Sequence, residues 1–336
     1  MTDSARAVRP LTFTLLRELS AERFTSGAEL ATRHGVSRSA VSDALKDASA
    51  LGVPIFSLTR RGYRLAEPLV LLNLDDIRDR MASAKHRLAL RVVDVIDSTN
   101  TALLAQAAAG APSGTCLAAE LQTAGRGRRG RSWQSAVGSS LTFSLLWRFD
   151  TGAASLAGLS LVVGLAVADA LRALGVAAEL KWPNDILFRD QKLGGILIET
   201  QGDMLGPTVA VIGIGLNIRL PESMIDAIDQ PATDIATASA DAPIATPALN
   251  RNALLAAVLT QLVDRLDQFQ RSGFASLRDQ WRALNAHQGQ LINVHAPTET
   301  YVARVVDVGL DGGLIVDRDG MQVSLSAAEI SVRATR

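Results

Sequence analysis

Gly125-Arg126-Gly127-Arg128-Arg129-Gly130-Arg131 places four guanidiniums and three glycines in seven consecutive residues. Glycine lets backbone N–H groups approach an anion closely, and the arginine fork matches carboxylate and phosphate oxygens. So dense a charge repels itself unless something strongly anionic passes through it. The same residues satisfy G-x-G-x-x-G, so the fold turns on whether they open a dinucleotide-binding βαβ unit. That fingerprint needs a strand directly before it, a helix directly after it, and small residues facing pyrophosphate. Here Gln122-Thr123-Ala124 separates the loop from the apolar run 115–119, and Arg131-Ser132-Trp133-Gln134-Ser135 has no helical apolar period. The dinucleotide reading fails on context. A solvated basic loop is the plain alternative unless the rest of the chain builds a ligand site around it.

On either side of the loop, short apolar runs end in polar clusters. Runs 92–96, 115–119, 141–147 and 209–212 read as strands. Asp97-Ser98-Thr99-Asn100 opens a helix continuing to Ala109. Its polar side chains are either ordinary N-caps or, beside free N–H groups, partners for the polar ring of a ligand. The stretch 156–174 reads as a buried helix whose apolar run, Leu156 to Ala168, stops at Asp169, short of the ~20 residues needed to span a bilayer. Then come Lys181-Trp182-Pro183-Asn184-Asp185-Ile186, Lys192-Leu193-Gly194-Gly195-Ile196-Leu197-Ile198-Glu199 and Gly213-Ile214-Gly215-Leu216-Asn217-Ile218. Singly these are a surface lysine or a bulged strand. Together they are the layout of an α/β site for a small anionic ligand and a nucleotide.

The first 67 residues form a separate module. A helical apolar stretch covers 11–19, Ser26-Gly27-Ala28-Glu29 has the form of a capping box, and Ser37 can cap a third helix to about Ala50. Ala40, Val41, Ala44, Leu45 and Ala48 fall on one face of that helix. Two runs, 55–58 and 63–65, flank Thr59-Arg60-Arg61-Gly62 as a hairpin with a basic tip, which makes the module a winged helix-turn-helix. Arg38, Ser39, Ser42 and Lys46, with Arg60 and Arg61 on the wing, are the candidates for phosphates and base edges. Asp43 and Asp47 on the same helix oppose that reading, and residues 1–67 hold ten Lys/Arg against seven Asp/Glu.

Composition sets outer limits. With 336 residues, 48% apolar and 20% charged, the chain is globular and long enough for two or three domains. Zero formal net charge means that any nucleic-acid contact must come from a local patch. Cys116 is the single cysteine, which excludes an intramolecular disulfide and fits a reducing compartment. Residues 1–10 carry no apolar core of a secretory signal, and the location implied is cytoplasmic, with no membrane partner. Four histidines without metal-ligand spacing argue against a zinc site, and neither a P-loop nor a nucleophile elbow is present.

Taken in order, Asp97-Ser98-Thr99-Asn100, the block from Gln122 through the arginine loop to Trp133, Lys181-Trp182-Pro183-Asn184-Asp185, Lys192-Leu193-Gly194-Gly195-Ile196-Leu197 and Gly213-Ile214-Gly215-Leu216-Asn217 closely resemble the biotin–protein ligases. With a winged helix in front, the chain looks like the bifunctional type, a ligase that also represses the biotin operon. The resemblance implies an α+β multidomain fold. Its parts are an N-terminal winged helix-turn-helix (1–67), a central mixed α/β domain related to class II aminoacyl-tRNA synthetases (68–284), and a C-terminal SH3-like β-barrel (285–336). Short alternating strands within 290–333, with turns at Asp311-Gly312-Gly313 and Asp319-Gly320, suit that barrel, while 221–250 reads as a surface excursion.

The resemblance also implies a reaction with biotin, ATP and Mg²⁺. Biotin is activated to biotinoyl-5′-AMP and passed to a lysine of the biotin carboxyl carrier protein of acetyl-CoA carboxylase. Lys192 would bridge the biotin carboxylate and the α-phosphate. Arg126, Arg128 and the amides of Gly125 and Gly127 would hold carboxylate and phosphates, Lys181 the triphosphate, and Asp185 would orient lysines or the incoming amine. Ser98, Thr99 and Gln122 would take the ureido ring, with Asn100 a further binding residue and Gly213 and Gly215 allowing the ring close to the backbone. Trp133 would cover the adenylate, Asn217 read adenine, and Arg333 reach the nucleotide from the barrel; Asn184, Gly194 and Gly195 complete the set. Gly194 stands where many relatives have alanine, read here as a small-for-small exchange. The arginine loop is expected to be mobile without ligand and to order over the adenylate, coupled to a homodimer that binds operator DNA. A ligase whose winged helix no longer binds operator, a lipoate-type ligase and a non-catalytic sensor are the alternatives.

Overall fold

A computed structural model of the chain describes residues 8–203, 205–225, 228, 230–240, 249–296, 299–326 and 331–334. At the N-terminus, α1 (Pro10–Leu16), α2 (Gly27–His34) and α3 (Arg38–Ala50) are followed by the hairpin β1 (Ile55–Leu58) and β2 (Gly62–Leu65). Ser37 Oγ accepts from Ala40 N at 3.1 Å and so fixes the start of α3. Gly35 ends α2 in the left-handed region, φ 62°. Val41, Ala44, Leu45 and Ala48 are buried, as their spacing predicts, and Ala40 is half-buried. The reciprocal capping box is not formed. Ser26 accepts from Ala28 N, and Glu29 turns along its helix to Arg33, because an ion pair one turn away competes for the carboxylate.

The central sheet is built from β3 (Ala89–Ile96), β4 (Thr115–Gln122), β5 (Ser140–Phe149), β6 (Glu179–Lys181), β7 (Asp185–Phe188), β8 (Gln191–Gly202) and β9 (Thr208–Asn217), in the order β3-β4-β5-β9-β8-β7-β6. The helices are α4 (Leu74–Arg80), α5 (Thr99–Ala108), α6 (Leu159–Ala173), α7 (Glu222–Ile225), α8 (Ile235–Ala238), α9 (Arg251–Ser272) and α10 (Arg278–Ala283). Helix α5 is the crossover between the parallel pair β3 and β4; the other pairs are antiparallel, so the sheet is mixed. Alternation on β5 sorts the layers. Leu141, Phe143, Leu145 and Trp147 join the core under α6 and α9, whereas Leu146 packs with Leu103 and Ala107 of α5. The apolar stretch Ala153–Ala173 has the length and composition of a membrane span, yet 67% of that window is buried inside the fold.

The C-terminal unit, expected as an SH3-like barrel, is a five-stranded antiparallel sheet: β10 (Leu291–His295), β11 (Thr300–Val308), β12 (Leu314–Arg318), β13 (Met321–Leu325) and β14 (Ser331–Ala334), ordered β13-β12-β11-β10-β14. Both quoted turns are made, with Gly312, Asp319 and Gly320 at positive φ. Its core is continuous with the central one: Ile292, Val294, Val305 and Val316 belong to the cluster that holds Leu180 and Trp182, and Trp182 Nε1 donates to Gly312 O at 3.0 Å. The winged helix is docked as well, since Leu121 and Val137 of the central unit complete its core.

Candidate active site

The pocket lies on the α5 side of the sheet, where β5 turns Thr142 and Ser144. Ser144 pairs with Gly213 and Thr142 with Gly215 on β9; these pair in turn with Leu197 and Gly195 on β8. A Cβ at Gly213 would sit 2.2 Å from Asn100 Oδ1, and one at Gly215 2.4 Å from the Trp133 ring. Glycine at those two register positions therefore lowers the floor by a side chain each. The result is a cavity of about 450 Å³ lined by Ser98, Thr99, Asn100 and Gln122, by Arg126, Gly127, Arg128, Asn184 and Lys192, and by Trp133, Gly195, Gly213, Gly215 and Asn217.

One set of lining groups is uncharged and tightly hydrogen-bonded. Ser98 Oγ accepts from Thr101 N at 3.4 Å, so Ser98 is an N-cap as well as a lining residue. Gln122 Oε1 accepts from Thr99 N at 2.8 Å and from Thr99 Oγ1 at 3.0 Å. Thr99 Oγ1 lies 2.6 Å from Ser144 Oγ, which donates to Asn100 Oδ1 at 2.6 Å. Ser144 is fully buried. Sequence reasoning missed it, although polar residues at every second place of Leu141-Thr142-Phe143-Ser144-Leu145 are the period-two signature of a site-facing strand.

The other set is cationic. Lys192 Nζ lies 2.6 Å from Asp185 Oδ1, and Lys181 Nζ lies 3.7 Å from Asp185 Oδ2. Burial alone would raise the Asp185 carboxyl, but Lys192 and Lys181 outweigh it and hold it below the ordinary carboxylate range. Asp185 and Lys181 thus stand behind Lys192, outside the cavity lining, where they fix its ammonium. Arg128 donates to Asn184 Oδ1 at 3.0 Å, and Asn184 Nδ2 donates to Ile196 O at 2.7 Å. Burial pulls the Arg128 guanidinium below its usual range; Asp185 opposes this, and Arg129 and Arg131 add to it. Arg126 is paired with Glu199 at 2.8 Å. The loop is closed on itself, Arg126 bridging Ser132 and Gly127 N donating to Arg131 O at 2.7 Å.

Several expected roles change in this geometry. The Gly127 amide, expected on an anion, is spent on Arg131 because the loop needs it to close. Gly194 is absent from the lining, and an added Cβ would meet Leu216 Cδ2 at 2.5 Å and Gly215 O at 2.7 Å, so glycine is a packing requirement here and not an interchangeable small residue. Asn217 Nδ2 donates to Thr233 O at 3.0 Å and Lys192 O at 3.3 Å, which ties the 231–233 segment to β8. Gly125 is buried, and its carbonyl accepts from Trp133 N at 2.8 Å. Trp133 lies against Gly195 and Gly215 with its buried Nε1 lacking a hydrogen-bond partner among the described residues. Arg333 is on β14, opposite Asn293; its side chain lies outside the described residues.

The stretch read as a surface excursion is in part a wall. Met224, Ile228, Gln230 and Ala232 line the cavity, and Lys192 N donates to Pro231 O at 2.9 Å. No period or motif marks these residues. Positions 226, 227, 229 and 241–248 of that stretch lie outside the described residues, as do 1–7 of the N-terminal segment.

On the winged helix, Arg38, Ser39 and Lys46 are exposed along α3, Ser42 is half-buried, and Arg60 and Arg61 are exposed at the wing tip. The acidic pair is internally spent. Asp47 is bound by Arg9, which also donates to Asp43 O, and Asp43 Oδ1 lies 3.3 Å from Lys46 Nζ. Neutralised carboxylates oppose a phosphate backbone far less than the bare sequence suggests.

Residues 92–217 match the biotin/lipoate A/B protein ligase family, and residues 12–64 match a helix-turn-helix domain model. The chain is 34% identical to the bifunctional ligase/repressor BirA of Salmonella typhimurium, over 96% of this chain and 97% of that protein. The Escherichia coli protein of the same name is 32% identical over 95% and 96%. Among solved structures, the biotin protein ligase of Aquifex aeolicus in complex with biotin and ATP superimposes with a TM-score of 0.61 at 26% identity, covering 73% of this chain and 99% of that one. A glycine-floored pocket edged by an arginine loop, a winged helix before it and relatives matched end to end lead to one conclusion: this chain belongs to the biotin–protein ligase family, in its bifunctional ligase/repressor branch.

Proposed function

We propose that the pocket joins biotin to ATP and then hands the biotinoyl group to a lysine of the biotin carboxyl carrier protein of acetyl-CoA carboxylase. The observation that carries this reading is one cavity of about 450 Å³ with an uncharged hydrogen-bonding wall and a cationic wall over a glycine floor. Such a lining suits a ligand with a neutral polar ring and a carboxylate. Thr99, Asn100, Gln122 and Ser98 take the ureido ring. In the first step a biotin carboxylate oxygen attacks the α-phosphorus and pyrophosphate leaves. Both reactants are anions, so the barrier is largely their mutual repulsion, and fixed cations are the remedy. Lys192 bridges carboxylate and α-phosphate, Arg126 and Arg128 hold the phosphates, and Lys181 and Asp185 keep Lys192 aimed. In the second step the carrier lysine, as a neutral amine, attacks the acyl carbon; AMP leaves and the amine loses a proton. Trp133 covers the adenylate, with its indole N–H, unpartnered among the described residues, supplying a donor.

Magnesium accompanies ATP in this reading. Among the described residues no three carboxylate, cysteine or histidine groups come together as a metal cage, and Asp185 is held by lysines. The ion would be carried on the oxygens of the triphosphate, where it would offset their charge. Residues 1–67, 68–284 and 285–336 are taken as the three domains, with a cytoplasmic location. The winged helix binds operator DNA through Arg38, Ser39, Ser42, Lys46, Arg60 and Arg61 as a homodimer, biotinoyl-AMP being the corepressor. Incubating the purified protein with biotin, Mg-ATP and the carrier domain should add one biotinoyl group to a carrier lysine by mass; no pyrophosphate release with biotin, or release with lipoate in its place, overturns the assignment. A gel shift on biotin-synthesis promoter DNA, with and without biotinoyl-AMP, tests the repressor half.

A further inference from the structure

Ser144 is fully buried on β5 and does not line the cavity, whereas its neighbour Thr99 does. A row of four oxygens passes through both. Gln122 Oε1 lies 3.0 Å from Thr99 Oγ1, Thr99 Oγ1 lies 2.6 Å from Ser144 Oγ, and Ser144 Oγ lies 2.6 Å from Asn100 Oδ1. Both ends of the row are fixed as acceptors. Gln122 Oε1 already takes Thr99 N at 2.8 Å, a donor that only the amide oxygen can meet. Asn100 turns Nδ2 to Leu197 O at 3.3 Å and to Glu199 at 3.0 Å, which leaves its oxygen to Ser144. Each hydroxyl carries one proton, so two protons serve three links and one link goes without. A bare 2.6 Å link would press lone pairs together, and a bare link at Asn100 would also orphan a buried acceptor. Gln122 Oε1 keeps the Thr99 amide in every case. The contact of Thr99 Oγ1 with Gln122 is a hydrogen bond by distance, but Thr99 has no second proton for it: Thr99 donates to Ser144, and Ser144 to Asn100.

We propose that Ser144 is a positioning residue that sets the polarity of the ring wall: by taking the Thr99 proton, it leaves Thr99 to meet a ligand as an acceptor only. Gln122, its oxygen committed to the Thr99 amide, meets the ligand through Nε2 as a donor. An acceptor beside a donor matches an N–H beside a C=O, the edge of a cyclic urea, and refuses a ring that puts an oxygen where the N–H belongs. This rests on the reading that Thr99 meets the ring of biotin. Without the Ser144 hydroxyl the Thr99 proton is free to turn to such an oxygen, so the selectivity belongs to Ser144 although it touches no ligand.

Two biotin analogues, each with one ring N–H replaced by oxygen, are compared with biotin by equilibrium binding. In the parent protein the analogue altered at the nitrogen facing Thr99 should bind about tenfold to a hundredfold more weakly than biotin, because two acceptors then face each other in a buried site. In Ser144→Ala that ratio should shrink at least about fivefold as the Thr99 proton is released. The ratio compares ligands on one protein, so a loss of folded material in the variant does not move it. Ratios equal in parent and variant for both analogues overturn the role of Ser144. Thr99→Val separates this failure from that of the underlying reading. If Thr99→Val binds biotin as tightly as the parent, Thr99 does not meet the ring, and the role of Ser144 falls with it. If Thr99→Val weakens biotin while Ser144→Ala leaves both ratios in place, the role of Ser144 alone fails.

Discussion

Single residues decide what the pocket can hold. Lys192 is held at 2.6 Å from Asp185, whose other oxygen faces Lys181. Lys192→Ala should therefore cut biotin-dependent pyrophosphate release by about a hundredfold or more, the usual scale for losing a preorganised charge at a reacting phosphate. A variant retaining more than a tenth of the activity, at about 1.4 kcal/mol per tenfold, would remove Lys192 from the chemistry. Gly194 shows the opposite kind of dependence. Its motif marks it as a ligand residue, but its neighbours Leu216 and Gly215 leave no room for a methyl group. Gly194→Ala should cost about 1–3 kcal/mol in denaturant unfolding by overpacking; an unchanged midpoint would mean that β8 and β9 part freely. The residue types of the site were legible, whereas the direction each side chain faces was not. Residue type follows from the chemistry of the ligand, and facing follows from register.

Elements carry the site because alternation on β5, β8 and β9 aligns polar and glycine positions on one face. Their existence follows from apolar runs, but their lengths do not: β4 reaches Gln122 and β5 extends to Phe149, past the runs that announced them. Pairing with neighbours continues a strand beyond its own hydrophobic pattern. The turn after α10 is a case where packing alone creates a property. His287 there is buried, and burial together with Lys181 lowers its imidazole from the ordinary 6.5. Well above pH 6.5 neither folded nor unfolded chain is protonated at this residue, so it has no effect. As pH falls below 6.5, the unfolded chain gains a proton that folded His287 refuses, and stability is lost down to the lowered folded value. His287→Asn should flatten the stability curve over that window, where the slope from one group is at most about 1.4 kcal/mol per pH unit. Unfolding free energies with the same slope in both proteins would exclude the effect.

At the scale of the whole molecule, a buried polar clamp holds the connector that leads from the winged helix into the central unit. Arg251 on α9 donates to Glu120 at 2.6 Å and to the carbonyls of Val70 and Ser140 at 2.7 and 3.0 Å, and Glu120 accepts from Leu72 N. The pair is 1% and 0% exposed. It clamps the connector from the winged helix against the strand that ends at Gln122. Removing one partner leaves a buried charge uncompensated. Arg251→Met should therefore destabilise by about 3–5 kcal/mol, and adding Glu120→Leu should restore much of that in thermal melts. A double variant no more stable than the single one would mean that the connector contacts, and not the charge, dominate. No motif announces this clamp, since its partners are 131 positions apart.

The sequence by itself determined the reaction class and the order of the units. Four arginines on glycine hinges, the lysine and asparagine turns, and a capped helix before a basic hairpin are local patterns, and each can be read from residues adjacent in the chain. Only the tertiary structure decided that Asp47 is spent on Arg9, that Ser144 joins the hydrogen bonds behind the pocket wall, that Gly194 serves packing, and that residues 231–233 pair with Lys192. Each of these depends on which distant atoms come within hydrogen-bond or van der Waals reach. Strand register and domain docking set those distances, and no single segment encodes either one.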